Sequence, residues 1–133
     1  MAGQPTLSTE DIDALLRFLP ILEANGFVFG QWDSQEGTFP HFNFSAEADR
    51  FHHCLYDNNW IVSFDWPGWQ AEAERLCASP EMLERADLET IRKLLTLHVR
   101  KERFCEGHLL GMFESGHLTN VLRRLRAIRR DMT

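Results

Sequence analysis

The sequence predicts a mainly helical α+β domain with a small antiparallel sheet of two or three short strands. The chain has 133 residues, 44% hydrophobic and 26% charged, which is the size and composition of one globular domain. Apolar residues recur at helical spacing in both its N-terminal and C-terminal parts, whereas residues 27–44 are rich in aromatic residues and break that spacing. We therefore expect a single domain over residues 1–133.

The N-terminal part of the chain predicts a helix followed by a hairpin. Ser8 can accept hydrogen bonds from the free amides of a first helical turn. Apolar residues continue at helical spacing to Leu22, and Pro20 should kink or split this helix because proline has no amide hydrogen. Residues 27–29 and 39–44 then predict two paired strands around a turn.

The middle of the chain predicts further helices and a third strand. Ser45 is a suitable N-cap for a helix, and residues 60–64 are β-branched and aromatic enough to form a short strand. Pro67 suits the first turn of a helix that reaches about residue 78, because proline there removes no hydrogen bond that the helix needs. Ser79-Pro80 begins another helix, because its proline again falls in the first turn.

The C-terminal part carries the strongest helical pattern. Asp87 caps a helix reaching about Phe104, whose apolar face comprises Leu88, Ile91, Leu94, Leu95 and Val99. Two further helices, near residues 106–115 and 118–130, are separated by Gly116, which suits a left-handed helix end. The last helix is amphipathic, with arginines on its polar side.

The net charge of -6 conceals a strong asymmetry along the chain. Residues 92–130 hold ten basic and three acidic residues, a net charge of +7, which leaves -13 for the remainder. Such segregation predicts attraction between the two parts, allows self-association into a homo-oligomer, and gives the last helix a surface for weak binding of polyanions or nucleic acid. The arginines concerned are Arg123, Arg124, Arg126, Arg129 and Arg130.

The cysteines and the apolar runs indicate a reduced, cytoplasmic protein. Cys54, Cys77 and Cys105 contain no C-x-x-C pair, so neither a zinc ribbon nor a disulfide framework is indicated. The N-terminal segment lacks a basic and an apolar signal region, and no apolar run approaches the roughly 20 residues that cross a bilayer. We therefore expect a cytoplasmic location and no membrane partner.

Several motifs between residues 51 and 126 resemble a bacterial family of unknown function. They are F-D-W-x-x-W at 64–69, the run at 86–100, R-F-C-E-G-H-L at 103–109, M-F-E-S-G-H at 112–117 and L-R-R-L at 122–125. The resemblance implies no accepted activity, cofactor or catalytic residue. The function must therefore be inferred from the chemistry of the residues themselves.

A dense polar cluster near the C-terminus is the main candidate site. Its members are His98, Arg103, Cys105, Glu106, His108, Glu114 and His117. His98 falls on the apolar face of its helix, so it should point inward and must find a hydrogen-bond partner. The simplest interpretation is structural, with His98 bonded to a backbone carbonyl or to Glu114 so that two helices are tied together.

The first functional interpretation of this cluster is a metal site. Imidazole and carboxylate are suitable ligands for zinc or iron, and His98, His108, Glu114 and His117 could supply them. Their spacings of ten, six and three residues match no compact ligand motif. The sequence therefore predicts no cofactor, although it leaves zinc open.

Two enzymatic interpretations also fit the cluster. Arg92-x5-His98 and Arg103-x4-His108 fit the loose R-x(4-6)-H pattern of the helical HEPN superfamily. Those nucleases usually carry a polar residue, often asparagine, directly after the arginine, where this chain has Lys93 and Phe104. Cys105 could act as a nucleophile if its sulfur were exposed. The neighbouring Phe104 instead favours burial of Cys105.

Aromatic residues form a second candidate surface. Twelve of the fifteen lie between residues 27 and 69, and Trp66 and Trp69 are spaced so that one can pack inward while the other lines a cleft. Because each of these features also has a packing explanation, the leading interpretation of the chain is a binding or interaction module. The competing interpretation is an enzyme that uses residues 98–117, either a metal-independent ribonuclease or a metal-assisted hydrolase.

Overall fold

The computed structural model describes residues 5–33, 37 and 39–132. Within these residues, α-helices surround one core and a two-stranded antiparallel sheet lies beside them, which confirms the predicted mainly helical α+β class. The elements are α1 (Thr9–Leu16), α2 (Leu19–Glu23), β1 (Gly30–Asp33), β2 (His41–Phe44), α3 (Ala46–Asp57), α4 (Gln70–Ala78), α5 (Pro80–Glu84), α6 (Leu88–Phe104), α7 (His108–Glu114) and α8 (His117–Arg130).

The first two helices form as their caps and proline dictate. The Ser8 hydroxyl accepts from the backbone N–H of Asp11 at 3.1 Å, and the Asp11 carboxylate accepts from the backbone N–H of Ser8 at 3.0 Å. Pro20 lies in the first turn of α2, where its missing amide leaves no bond unmade. The expected disruption at Pro20 is thus a division into two helices.

The hairpin begins later along the chain than predicted. Gly30 lies opposite Phe44 and Asp33 opposite His41, so β1 follows the predicted segment 27–29. Phe29 belongs to the core and not to the sheet: it is buried, and its ring stacks on that of Phe113 with the ring centroids 5.2 Å apart. The predicted turn lies largely outside the described residues, which omit 34–36 and 38.

The predicted third strand at residues 60–64 is wrong. This segment runs beside α6, and two of its backbone groups bond to the Thr96 side chain of that helix and not to a neighbouring strand. The Thr96 hydroxyl donates to the Trp60 carbonyl at 3.0 Å and accepts from the Val62 N–H at 3.2 Å. The indole N–H of the fully buried Trp60 donates to the backbone oxygen of Asp11 at 3.2 Å. Tertiary bonds have therefore replaced strand pairing.

Helix α8 joins the basic and acidic parts of the chain. Arg123 pairs with Glu23 and Arg129 pairs with Asp13, each at 2.9 Å, while Leu118 to Leu125 supply a buried apolar face to the core. Within the residues that the structure describes, no helix is both long and apolar enough to cross a membrane.

Two glycines with positive φ place the first residues of the last two helices. Gly107 (φ 93°) directly precedes α7, and Gly116 (φ 83°) directly precedes α8. Only glycine adopts this backbone conformation without strain, so the chain can reverse sharply at both points. His108 and His117 consequently begin their helices beside the middle of α6, where His98 lies.

Candidate metal centre

A thiol and two imidazoles from three different helices converge on one point. Cys77 comes from α4, His98 from α6 and His117 from α8, and one potential ligand atom of each lies within 4.8 Å of the other two. Sulfur and imidazole nitrogen are the donors that zinc prefers. The arrangement has the composition of a Cys-His-His metal centre.

Each side chain faces this point because of its place on its helix. Cys77 is four residues after Ala73 and adjacent to Leu76, both of which are buried on the inner face of α4. His98 is 1% exposed and lies on the apolar face of α6. His117, at 5% exposure, is fixed by the turn at Gly116.

The distances between the donor atoms are close to those of a tetrahedral zinc site. Nε2 of His98 lies 3.1 Å from Nε2 of His117, and Sγ of Cys77 lies 3.5 Å from the same nitrogen of His117. Zinc bonds of about 2.05 Å to nitrogen and about 2.3 Å to sulfur place tetrahedral neighbours about 3.4 Å (N to N) and about 3.6 Å (N to S) apart. Small side-chain adjustments would therefore admit the ion.

A fourth side chain, His108 at the start of α7, contacts the other edge of the His98 ring. Nδ1 of His98 lies 2.9 Å from Nε2 of His108. Each neutral imidazole carries one N–H, so a proton on Nδ1 of His98 donates to His108 and leaves Nε2 of His98 with its lone pair toward the convergence point. Metal-bound histidines are commonly held in this way by a second hydrogen bond.

Burial keeps the histidines neutral and the thiol protonated. Desolvation lowers the pKa of His98 well below its usual range, and it lowers the pKa values of His108 and His117 to about 4. Desolvation likewise raises the pKa of the Cys77 thiol, although the charge of Lys101 opposes this rise. Around neutral pH the three imidazoles are therefore unprotonated and able to bind a metal, whereas Cys77 is a poor free nucleophile.

The centre borders an open cavity of about 280 Å³ between α4, α6 and α7. Its lining includes Glu74, Cys77, His98, Lys101, His108 and Met112. A small molecule can therefore approach Cys77 and His98 through this cavity, whereas His117 is not among its lining residues.

The chain matches the model of one known protein family. The model of a family of unknown function, DUF6508, matches residues 7–131. The chain belongs to the DUF6508 family. The resemblance to a family of unknown function is thereby confirmed, and no curated protein or solved structure matches the chain.

The DUF6508 fold brings together only some of the residues proposed from the sequence. His98, His108 and His117 form a continuous chain of contacts. Glu114 is exposed at the end of α7, so the suggestion that it partners His98 is wrong: the partners of His98 are two histidines. Of the four residues that the sequence offered as metal ligands, His98 and His117 belong to the converging group and Glu114 and His108 do not, whereas Cys77 joins it.

The remaining candidates lie away from the metal centre of this DUF6508 domain. Arg103 and Cys105 are exposed at the end of α6, and Phe104 is 76% exposed, so the expected burial of Cys105 is wrong. The Glu106 carboxylate accepts from the backbone N–H of Phe42 and ties β2 to the turn after α6. Arg92 is buried and donates to the Asn59 carbonyl at 3.0 Å. The Arg92-His98 pair therefore gives no support to a ribonuclease site.

The two tryptophans of the proposed cleft have separate aromatic neighbours. Trp66 lies against Phe104 with ring centroids 5.9 Å apart, and Trp69 meets Phe64 edge-on at 6.0 Å. Both are partly buried against the core of the DUF6508 fold. The cleft between them stays a prediction.

Proposed function

We propose that this domain is a metal-binding module that holds one zinc ion through Cys77, His98 and His117. The observation that carries the proposal is the convergence of one sulfur and two imidazole nitrogens from three helices within 4.8 Å. Two of the three donor separations, 3.1 Å and 3.5 Å, approach those around tetrahedral zinc.

The electrostatics of the site support a cation at this point. The histidines need no deprotonation near neutral pH because burial already lowers their pKa values. A divalent cation would also stabilise the thiolate of Cys77, whose formation burial otherwise opposes. One thiolate and two neutral imidazoles would leave the centre with a net charge of about +1.

The metal-free fold needs no ion to complete its hydrogen bonding. Every buried side-chain nitrogen and oxygen among the described residues has a hydrogen-bond partner. We therefore expect zinc to add stability to a domain that folds without it, in contrast to small domains that fold only with metal. This separates zinc affinity from folding and makes ligand variants interpretable.

The test is zinc titration of the chelator-stripped, reduced protein against a chromophoric competitor, with the stoichiometry determined by elemental analysis. We expect one zinc per chain. Cys77→Ser and His117→Gln should weaken binding by more than the about 10–100-fold typical of outer-shell changes. The matched controls are Cys105→Ser and His53→Gln, both on exposed side chains, and they should bind zinc like the wild type.

Thermal melts of the same proteins supply the second readout. Zinc at about 100 times its Kd should stabilise the wild type by about 2.7 kcal/mol and leave Cys77→Ser nearly unshifted. Equal zinc affinity of Cys77→Ser and Cys105→Ser would show that Cys77 is not a ligand and would overturn the proposed site. An intense blue thiolate-to-copper band together with tighter binding of copper would keep the site but reassign its metal.

A further inference from the structure

We infer that the metal centre keeps an open coordination position toward the cavity and that this position takes a small carboxylate, with Lys101 supplying a second positive charge. This inference rests on the proposed zinc site. It names the ligand class that the site would recognise.

The open position follows from the number and placement of the donors. Structural zinc sites are closed by four protein ligands, whereas sites that bind exchangeable ligands have three. Here three donor residues converge. His108 cannot serve as the fourth in this arrangement, because it contacts Nδ1 of His98 while Nε2 of the same ring faces His117. The ion and His108 would thus lie on opposite edges of one imidazole.

The direction of the open position follows from the packing. Cys77 and His98 line the cavity, whereas His117 is not among its lining residues. A ligand arriving from solvent would therefore meet the ion between α4 and α6. The cavity of about 280 Å³ is slightly smaller than the roughly 300 Å³ at the lower end for drug-sized ligands, so it suits a molecule of few heavy atoms.

The charge of the ligand follows from the cavity walls. Lys101 lies three residues after His98 on the same face of α6, and it lines the cavity. Its charge lowers the pKa values of Cys77, His98 and His108, so it acts on these three side chains. Glu74 lines the opposite wall on α4 and partly offsets it. With the ion in place, the net field favours an anion.

The apolar residues of the cavity wall favour an anion that carries a short hydrocarbon chain. Ala73, Leu97 and Met112 also border the cavity. A carboxylate bound at the ion and Lys101 would direct its hydrocarbon chain along these side chains, as polar anchoring within an apolar pocket requires. Butyrate is therefore a suitable probe, and butanol of the same length is its neutral control.

The experiment uses the full chain loaded with Co²⁺ in place of zinc, because cobalt reports both a thiolate ligand and a change of coordination. A thiolate-to-cobalt band must appear first, and its absence would reject the zinc site itself. Titration with butyrate at constant ionic strength should then change the visible cobalt bands saturably, while butanol should not. A thiolate band that butyrate leaves unchanged would overturn the carboxylate inference and leave the metal site standing.

Two matched variants test the charges. Lys101→Gln should raise the apparent butyrate Kd about three- to tenfold, and Glu74→Gln should lower it by a similar factor, because each removes one charge facing the same cavity. Both should keep the thiolate-to-cobalt band. Equal butyrate affinity in both variants and the wild type would show that the cavity does not select for charge and would overturn the role of Lys101.

Discussion

Nδ1 of His98 lies 2.9 Å from Nε2 of His108, on the edge of the imidazole ring that faces away from His117. Either ring can donate in this contact, and zinc at Nε2 of His98 requires the proton to lie on Nδ1. If Nδ1 carries the proton and donates to His108, Nε2 of His98 is free for a metal. His108 is therefore a positioning residue that acts on the metal centre through His98.

Removing the hydrogen bond from His108 should weaken zinc binding without removing a ligand. His108→Leu deletes the acceptor and should reduce zinc affinity by about 10–100-fold, while His108→Gln offers an amide oxygen and should recover much of the loss. Zinc stoichiometry should remain one per chain, and the thiolate-to-cobalt band should persist in both. Loss of that band in both His108 variants would show that the metal centre no longer forms and would contradict a role for His108 through its hydrogen bond alone.

The helices were predictable because their boundaries depend on local chemistry. Ser8, Ser45 and Asp87 cap α1, α3 and α6 as expected, and Gly116 adopts the left-handed conformation between the last two helices. The strand predicted at residues 60–64 failed for a non-local reason. Thr96, more than thirty residues away, satisfies the backbone there, and sequence alone gives no sign of this bond.

The site was only half predictable from the sequence. The histidines near α6 indicated a site because they are close together in sequence, and the inward face of His98 followed from helical spacing. Cys77 was missed as a ligand because it lies on α4, a helix brought near by tertiary packing, and no metal motif spans that separation. The available signal was its position beside Leu76 on an apolar face, which also fits an ordinary core cysteine.

Truncation of Leu95 should destabilise the whole domain. Leu95 is 1% exposed within the face of α6 that packs into the core, so Leu95→Ala should cost about 2–5 kcal/mol through lost contacts and a residual cavity. Glu89→Ala, on an exposed position of the same helix, should cost less than about 1 kcal/mol. Urea denaturation of the metal-free proteins gives both values. A small effect at Leu95 would show that this face packs loosely.

Polyanion binding by α8 should be weak and sensitive to salt. Arg123 and Arg129 already pair with Glu23 and Asp13, so a polyanion must compete with carboxylates of the same chain. Heparin titration at low salt should show Glu23→Gln binding more tightly, because Arg123 is released. Arg126→Gln should reduce by about one the slope of the logarithm of the binding constant against the logarithm of the salt concentration. Absence of heparin binding in all three proteins would show that this surface binds no polyanion.

Acid should destabilise the metal-free domain between about pH 6.5 and about pH 4. Burial lowers the pKa values of His108 and His117 from 6.5 to about 4, so the unfolded chain takes up their protons first as the pH falls. Stability should therefore decrease between about pH 6.5 and about pH 4, by up to about 1.4 kcal/mol per pH unit for each such histidine, and by less for the partly exposed His108.

The pH dependence of stability in a His117 variant tests whether this histidine contributes to the loss of stability in acid. His117→Gln removes one of these groups and should flatten the pH dependence in a chelator-containing urea series. His53→Gln, on an exposed side chain, should keep it. A slope that is unchanged in His117→Gln would mean that this histidine is not held neutral by burial.

Zinc binding at about pH 6 should release about one proton, and that proton should come from Cys77. Burial raises the pKa of this thiol, so it is protonated before the ion arrives, and a zinc ligand must be thiolate. His98 and His117 are already neutral because burial lowers their pKa values, so they have no proton to lose. A zinc-bound water, with a pKa of about 7, stays largely protonated under these conditions.

Calorimetric titration in buffers of different ionisation enthalpy counts the protons directly. The slope of the observed enthalpy against the buffer enthalpy should be near one for the wild type. It should fall toward zero for Cys77→Ser, because the serine hydroxyl does not ionise, and it should stay near one for Cys105→Ser. Release of two or three protons by the wild type would show that the histidines are charged in the metal-free domain. Release of none would show that Cys77 is not a ligand, because a protonated thiol must lose its proton to bind zinc, whereas a neutral imidazole loses no net proton.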